Sequence, residues 1–143
     1  MKKIVNSLFL SMFLYPCAGM ADYVDMNHEQ AYLLDIDPNN KSQVVDVIQS
    51  IFIPYYQSNY SPEELLRMKN ALQYYLATNN IDFSQEYNSQ LMPFDHPQNA
   101  KDFFLWIWET CFPNEHYELS IDDEYIVITH IWEDYKKIRK HPC

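Results

Sequence analysis

An unbroken run of six large apolar residues, Phe103 to Trp108, constrains the fold of this chain more than any other feature of its sequence. A helix or strand buries one face, and six such side chains in a row cannot all lie on it. Flanking segments therefore have to cover the run on both sides, and we expect it to be the central element of one core. Asn99 and Asp102 before the run resemble a helix start, and Pro113 favours a helix end after it, so the run is expected to be helical.

The first 21 residues have the pattern of a secretory signal peptide. Lys2 and Lys3 precede a short apolar stretch, and small residues follow it up to Ala21, which is the order found in cleaved leaders. We therefore predict cleavage near Ala21, a periplasmic or secreted location, and a single domain over residues 22–143. No later stretch is apolar for about 18 residues, so no membrane partner is expected. The alternative is that the first apolar stretch forms a buried N-terminal helix.

Two cysteines, Cys111 and Cys143, remain after removal of such a leader. An even pair in an exported chain predicts one disulfide, which would tie the tail to the central run. Closing a loop of this length stabilises a domain by about 3 to 4 kcal/mol in the chain-entropy model. Two free thiols are the alternative.

Composition excludes several functions. The single glycine, Gly19, lies in the predicted leader, whereas phosphate-binding loops, the dinucleotide fingerprint and the nucleophile elbow all need glycine. The formal net charge is −10 at pH 7, which argues against nucleic acid as a partner and favours a basic protein.

Local signals predict an all-α fold, a small bundle of about four to five helices with one disulfide. The clearest helix starts at Ser61-Pro62-Glu63-Glu64, which supplies an N-cap serine, a proline at the first helical position and a capping-box glutamate, and it stops at Asn79-Asn80. A second helix is expected from Ser42 to Pro54, and a short one near His28 to Leu34. Residues 81–98 are expected to be irregular.

The last segment is ambiguous, because Tyr125 to Thr129 has strong β character while the apolar positions from Ile121 to Tyr135 recur at helical spacing. The spacing favours a helix. The alternative is an α+β fold with a C-terminal hairpin that pairs residues 117–121 with 125–131.

Patterns that would identify a cofactor or a reaction are weak. His130 with Glu133, His116 with Glu115, and His28 with Glu29 are the candidate metal ligands, but neither the metalloprotease pattern nor the repeated Glu-x-x-His of di-metal bundles is present. No serine lies in a recognisable activating context. We therefore expect no cofactor, no metal and no catalytic residue.

The 12 tyrosines and the excess of acids instead suggest a protein-binding surface, since tyrosine is enriched at interfaces and acidic groups steer basic partners. Loops carry binding residues more often than core helices do, so the irregular segments 81–98 and 113–124 are the expected rim. The candidate partner-binding residues are Tyr87, Phe94, Asp95, Glu115, Tyr117, Asp122 and Asp123.

As a profile, a secretory leader followed by a small helical domain with one late disulfide and an acidic, aromatic-rich surface resembles the periplasmic immunity proteins that neutralise type VI secretion effectors. The resemblance implies a non-enzymatic inhibitor of a basic effector enzyme, often a homodimer, and it assigns no site residue. Two other functions are kept as alternatives, a periplasmic acid-stress chaperone-like protein and a small secreted hydrolase.

Overall fold

The computed structural model describes residues 2–19 and 28–128, with side chains from residue 32 onward in the second range. This part of the chain is mostly helical and contains a small two-stranded sheet. The predicted helical class is therefore confirmed at this coarse level, and the α+β alternative fits in part. No helix among these residues is long and apolar enough to cross a bilayer.

The N-terminal segment, defined as residues 2–17, is folded into the body of the protein. It consists of strand β1 (Lys2–Val5), helix α1 (Ser7–Ser11) and a 3₁₀ helix (Met12–Cys17). Asn6 caps α1 by accepting a hydrogen bond from the backbone of Leu8, as a short polar side chain does at a helix start. The apolar stretch is thus buried, as in the alternative to the leader prediction. Ala21 lies outside the described residues, and cleavage there stays a prediction.

A 3₁₀ helix (His28–Asp35) and a turn at residues 37–40 lead into helix α2 (Lys41–Val47). The expected cap was Ser42, but the side chain of Asn40 accepts from the backbone of Gln43. A π-helical turn (Ile48–Phe52) then connects α2 to helix α3 (Ile53–Asn59). Pro54 was expected to kink or end the helix, yet the chain stays helical through it. The wider π turn lies at the point where a proline removes a backbone donor.

Helix α4 (Pro62–Thr78) is the longest of the described helices and confirms its sequence signals. Ser61 and Glu64 form both bonds of the capping box, at 3.1 and 3.0 Å. Asn79 ends the helix in the left-handed conformation, with φ of 58°, which asparagine tolerates better than most residues.

Residues 81–98 are less irregular than predicted, because Asp82 caps a short helix, α5 (Phe83–Asn88). Helix α6 (Ala100–Cys111) then carries the central apolar run, with Asn99 as its N-cap, as predicted. Phe103 lies at the centre of the core, where its ring centroid is 6.4 Å from Phe52, 5.3 Å from Tyr87 and 6.0 Å from Phe94. Four residues of the run are buried and two are half-buried, so several elements cover it, as its composition requires.

Strand β2 (Glu124–Val127) pairs in parallel with β1, in a register that places Lys3 opposite Tyr125 and Val5 opposite Val127. The helix expected after Ser120 is therefore wrong for this stretch, and so is the hairpin, because the partner strand comes from the chain start. The β-branched and aromatic character of the stretch was the better guide than its spacing. Residues 129–143, on which the helical spacing also depended, lie outside the described residues.

The predicted disulfide is wrong. Cys111 is a free cysteine, as is Cys17, and Cys143 lies outside the described part of the chain. Cys111 is the last residue of α6, and burial raises the pKa of its thiol to about 12. Cys111 and Cys143 form an even pair only if residues 1–21 are set aside. In the folded chain, Cys111 is half-buried at the edge of the core and is not bonded to another cysteine.

Candidate functional site

A cleft of about 370 Å³ lies between the last turns of α6 and the chain segment that follows them. We call it the α6 cleft. It is lined by apolar and aromatic side chains, by three glutamates and by a histidine: Leu105, Trp108, Tyr117, Glu109, Glu115, Glu118 and His116.

The cleft exists because the chain reverses direction directly after α6. Pro113 disfavours continuation of the helix, and Asn114 adopts a positive φ of 70°. The backbone N–H of Glu115 then donates to the carbonyl of Phe112 at 3.2 Å. As a result, residues 115–118 run back along the outer face of α6.

Trp108 holds the returning segment in place. Its buried indole N–H donates to the backbone carbonyl of Glu115 at 2.8 Å, which satisfies a polar group that burial would otherwise leave unpaired. From α4, the side-chain amide of Gln73 donates to the carbonyl of Glu118 at 3.1 Å. These two bonds use the main chain of the segment and do not involve the carboxylates of Glu115 and Glu118.

Two of the three carboxylates already have cationic partners. The ammonium of Lys69 lies 2.8 Å from a carboxylate oxygen of Glu115, and the ammonium of Lys41 lies 3.4 Å from one of Glu109. Lys69 is further placed over the ring of Phe112, 4.9 Å from its centroid. Both ion pairs are exposed, so each contributes under about 1 kcal/mol and can exchange with another cation. Within the described residues, the carboxylate of Glu118 has no ion-pair partner.

The structure brings two of the sequence-predicted site residues together, since Glu115 and Tyr117 both line the cleft. Asp122 and Asp123 lie directly before β2, and a carboxylate oxygen of Asp123 lies 3.0 Å from the ammonium of Lys3. Asp95 is exposed but does not line the cleft.

Tyr87 and Phe94 are core residues. Their exposed fractions are 2% and 6%, and the hydroxyl of Tyr87 donates to the backbone of Asp95 at 3.2 Å. Both aromatic side chains pack on Phe103, so neither offers a surface to a partner.

Sequence reasoning missed the contribution of α6 itself. Leu105, Trp108 and Glu109 stand three and four residues apart, the spacing that places side chains on one helical face. The chain reversal signalled by Pro113 and Asn114 would lie over that same face. The combination of helical spacing and a following turn could have located the cleft.

In the part of the chain that is described, no group of three or more histidine, cysteine, aspartate or glutamate side chains could hold a metal ion. Of the candidate ligands, His116 and Glu115 line the cleft, whereas His130 and Glu133 lie outside the described residues. The side chains of His28 and Glu29 are likewise not described.

The chain matches no protein family model, no curated protein and no solved structure.

Proposed function

We propose that this chain is an acidic protein-binding domain that takes a basic side chain of a partner protein in the α6 cleft. We propose further that it acts as an inhibitor, of the immunity-protein kind, of a basic effector enzyme. The observation that carries the proposal is the placement of three glutamates around an apolar wall within one cleft.

The chemistry of the cleft suits a guanidinium or an ammonium group. Such side chains combine an apolar stem with a charged head, and the walls formed by Leu105 and Tyr117 can contact the stem while the carboxylates bind the head. An arginine also stacks on aromatic rings and binds a carboxylate through two hydrogen bonds at once. These properties favour arginine over lysine as the occupant.

The ion pairs at the rim support exchange with a partner. Because the pairs of Lys41 with Glu109 and of Lys69 with Glu115 are exposed, replacing one ammonium by a partner's cation costs little. The net charge of −10 adds long-range attraction for a basic protein, which raises the association rate at low salt.

No serine, threonine or cysteine is among the residues that line the cleft, so a hydrolase at this site would have to use its glutamates. A homodimer is a further prediction that the cleft does not bear on.

The location that we propose for this function is the periplasm, after cleavage near Ala21. Export requires the N-terminal segment to leave the core, since Phe9, Leu10 and Leu14 are fully buried in the folded chain. The exported chain is therefore expected to cross the membrane unfolded and to fold without that segment.

The test is capture of partners by the tagged full-length chain from envelope and secreted fractions, compared with the variant Glu109→Lys/Glu118→Lys. The matched control is Asp46→Lys, which reverses one exposed charge on α2 away from the residues that line the cleft. We expect one basic protein to bind the wild type and the control in a near-equimolar complex, and to bind the double variant at least about tenfold more weakly.

Inhibition is measured next, by titrating the captured protein's activity with the wild type and with each variant. Loss of activity at equimolar ratio with the wild type and the control supports the proposal. A partner that binds the double variant equally well, or that keeps its activity when bound, would contradict it.

A further inference from the structure

The N-terminal segment fills a groove in the rest of the protein, which we call the body. Its helix α1 packs on α4, its strand packs on α4 and pairs with β2, and its 3₁₀ helix contacts the π-helical turn and α3. The segment's apolar side chains are inside the core and are exposed by 3% or less: Val5, Phe9, Leu10, Met12, Phe13, Leu14 and Cys17.

Besides burying these side chains, the body also binds the main chain of the segment. The hydroxyl of Tyr60 donates to the carbonyl of Met12 at 2.9 Å, and the hydroxyl of Tyr56 donates to the carbonyl of Phe13. Strand pairing adds ladder bonds, and the N–H of Ile128 donates to the carbonyl of Val5 at 2.9 Å. Contacts to the main chain are available from any sequence, so they give affinity without fixing the identity of the bound segment.

One end of the groove is acidic. Asp123 lies 3.0 Å from the ammonium of Lys3, and both side chains are less than one-fifth exposed. The same ammonium lies 5.5 Å from the ring centroid of Tyr125. Lys2, one residue earlier, is exposed. The groove thus prefers a basic residue at one defined position and apolar residues after it.

Removal of the segment would leave an apolar surface on the body. The faces of α4 and of the π-helical turn that now contact the segment would meet water, and contiguous apolar patches of that kind mark sites of protein association.

We infer that this groove, once the N-terminal segment is removed, binds an apolar segment of a partner protein that begins with a basic residue, runs as a strand beside β2 and continues as a short helix. The chain's own residues 2–17 occupy the groove as a covalently linked stand-in for that partner segment. Because linkage gives the stand-in a high effective concentration, a partner competes only after cleavage. The inference rests on removal of the segment and is independent of the α6 cleft.

The experiment uses the full chain with a recognition site for a sequence-specific protease in place of residues 21–27. The protein is purified folded and then cut, so that the segment and the body are separate chains. A fluorescently labelled peptide of residues 1–19 is added, and its binding to the body is followed by anisotropy. Circular dichroism before and after cutting reports whether the body keeps its fold.

We expect the labelled peptide to replace the cut segment and to bind the body reversibly. Lys3→Gln in the peptide should weaken binding about fivefold, while the matched Lys2→Gln peptide should bind within about twofold of the native one. Leu10→Asp should weaken binding at least about a hundredfold, because it would bury a carboxylate. A peptide with the same pattern of basic and apolar positions but different apolar residues should bind within about tenfold.

A substitution in the body, Tyr60→Phe, tests the contacts that the body makes to the segment. It removes one hydrogen bond to the segment's main chain, so it should weaken peptide binding about fivefold.

Three results would overturn the inference. The cut protein could unfold, or the segment could fail to exchange with the peptide over a day, and either would make residues 2–17 a permanent part of the core. Alternatively, the uncut protein could form dimers by exchanging segments while the cut body ignores the free peptide, which would assign the groove to a second copy of this chain.

Discussion

The chain contains two apolar runs, for which the sequence predicts different outcomes. The first, in the N-terminal segment, has the pattern of a leader that is discarded, and the second, in α6, has the pattern of a core helix. The structure places both in one core, where Phe9 and Phe104 are each fully buried. The hydrophobicity of a run therefore predicts that it is buried. It does not distinguish a run that packs in the protein core from one that is recognised as a signal peptide.

The two runs differ in what holds them. Helix α6 is 12 residues long and capped by Asn99, so local signals support it. Helix α1 is only five residues long, and isolated helices of that length are not stable in water. The N-terminal run depends on distant partners, among them Tyr56, Tyr60 and β2. Both helices have an N-cap asparagine, but the shorter α1 depends more on tertiary contacts than α6 does.

The largest expected effect comes from a matched pair of substitutions, Phe9→Ala and Phe104→Ala. Both side chains are fully buried, so each variant should lose about 3 to 5 kcal/mol of the free energy of unfolding in the full-length chain. Urea unfolding followed by fluorescence measures both. A loss below about 1 kcal/mol for Phe9→Ala, with the full loss for Phe104→Ala, would separate the first run from the core.

A cysteine ends the helical element at the end of each region, Cys17 in the N-terminal segment and Cys111 in α6, which gives a second comparison. Burial raises the pKa of both Cys17 and Cys111 to about 12, so their thiolates are scarce at pH 8 and their reaction with iodoacetamide is slow. We expect both cysteines to react at least about a hundredfold more slowly in the native chain than in urea. Peptide mass spectrometry after timed labelling measures the two rates separately. Fast labelling of Cys17 in the native chain, together with slow labelling of Cys111, would mean that the N-terminal segment is less buried than α6.

A smaller effect tests the distant contacts of the first run. Tyr56→Phe removes the hydroxyl that donates to the carbonyl of Phe13 and leaves that carbonyl buried without this bond. The expected loss of the free energy of unfolding is about 1 kcal/mol. The control is Tyr55→Phe, since the hydroxyl of Tyr55 makes no hydrogen bond within residues 2–19 and 32–128. Equal losses in the two variants would mean that the hydrogen bond to the carbonyl of Phe13 does not contribute to the free energy of unfolding.

The smallest effect concerns pH. Burial raises the pKa of Glu86 above its ordinary value, while a hydrogen bond from the hydroxyl of Ser11, in the N-terminal segment, opposes the rise. The folded chain therefore holds this proton more tightly than the unfolded chain does, and stability falls as pH rises from the unfolded pKa through the folded one. Glu86→Gln keeps an acceptor for Ser11 and removes the fall.

The Glu86→Gln variant should be more stable than the wild type at pH 7, by less than about 1 kcal/mol because the carboxyl is only half-buried, and the difference should vanish at pH 4. Thermal unfolding at the two pH values measures it. The exposed control Glu109→Gln should change stability by under about 0.5 kcal/mol at both. A Glu86→Gln variant that is less stable than the wild type at pH 7 would contradict the assignment.

Sequence reasoning succeeded for several local features, although it missed the caps at Asn40 and Asp82. The capping box of Ser61 and Glu64, the stop at Asn79 and the start of α6 at Asn99 are all present as predicted. Each involves residues within a few positions of one another, so the chemistry of a short stretch decides the outcome.

It failed where the partner is distant in sequence. The strand character of Tyr125 to Val127 was recognised, but the strand had no visible partner once residues 1–21 were set aside, so the helix was preferred. Setting aside residues 1–21 also led to the wrong prediction of a disulfide between Cys111 and Cys143. Of the seven residues that line the α6 cleft, two were predicted partner-binding residues, Glu115 and Tyr117, because they lie in a loop. Glu109 was not, because it lies on a helix that was interpreted as core alone.

The most direct test of the claim that both runs belong to one core is hydrogen exchange of the full-length chain, read by mass spectrometry. Amide protection reports how rarely a segment opens. We expect peptides covering residues 8–14 to exchange as slowly as those covering residues 103–108. Exchange of residues 8–14 within seconds, with residues 103–108 still protected after hours, would contradict it.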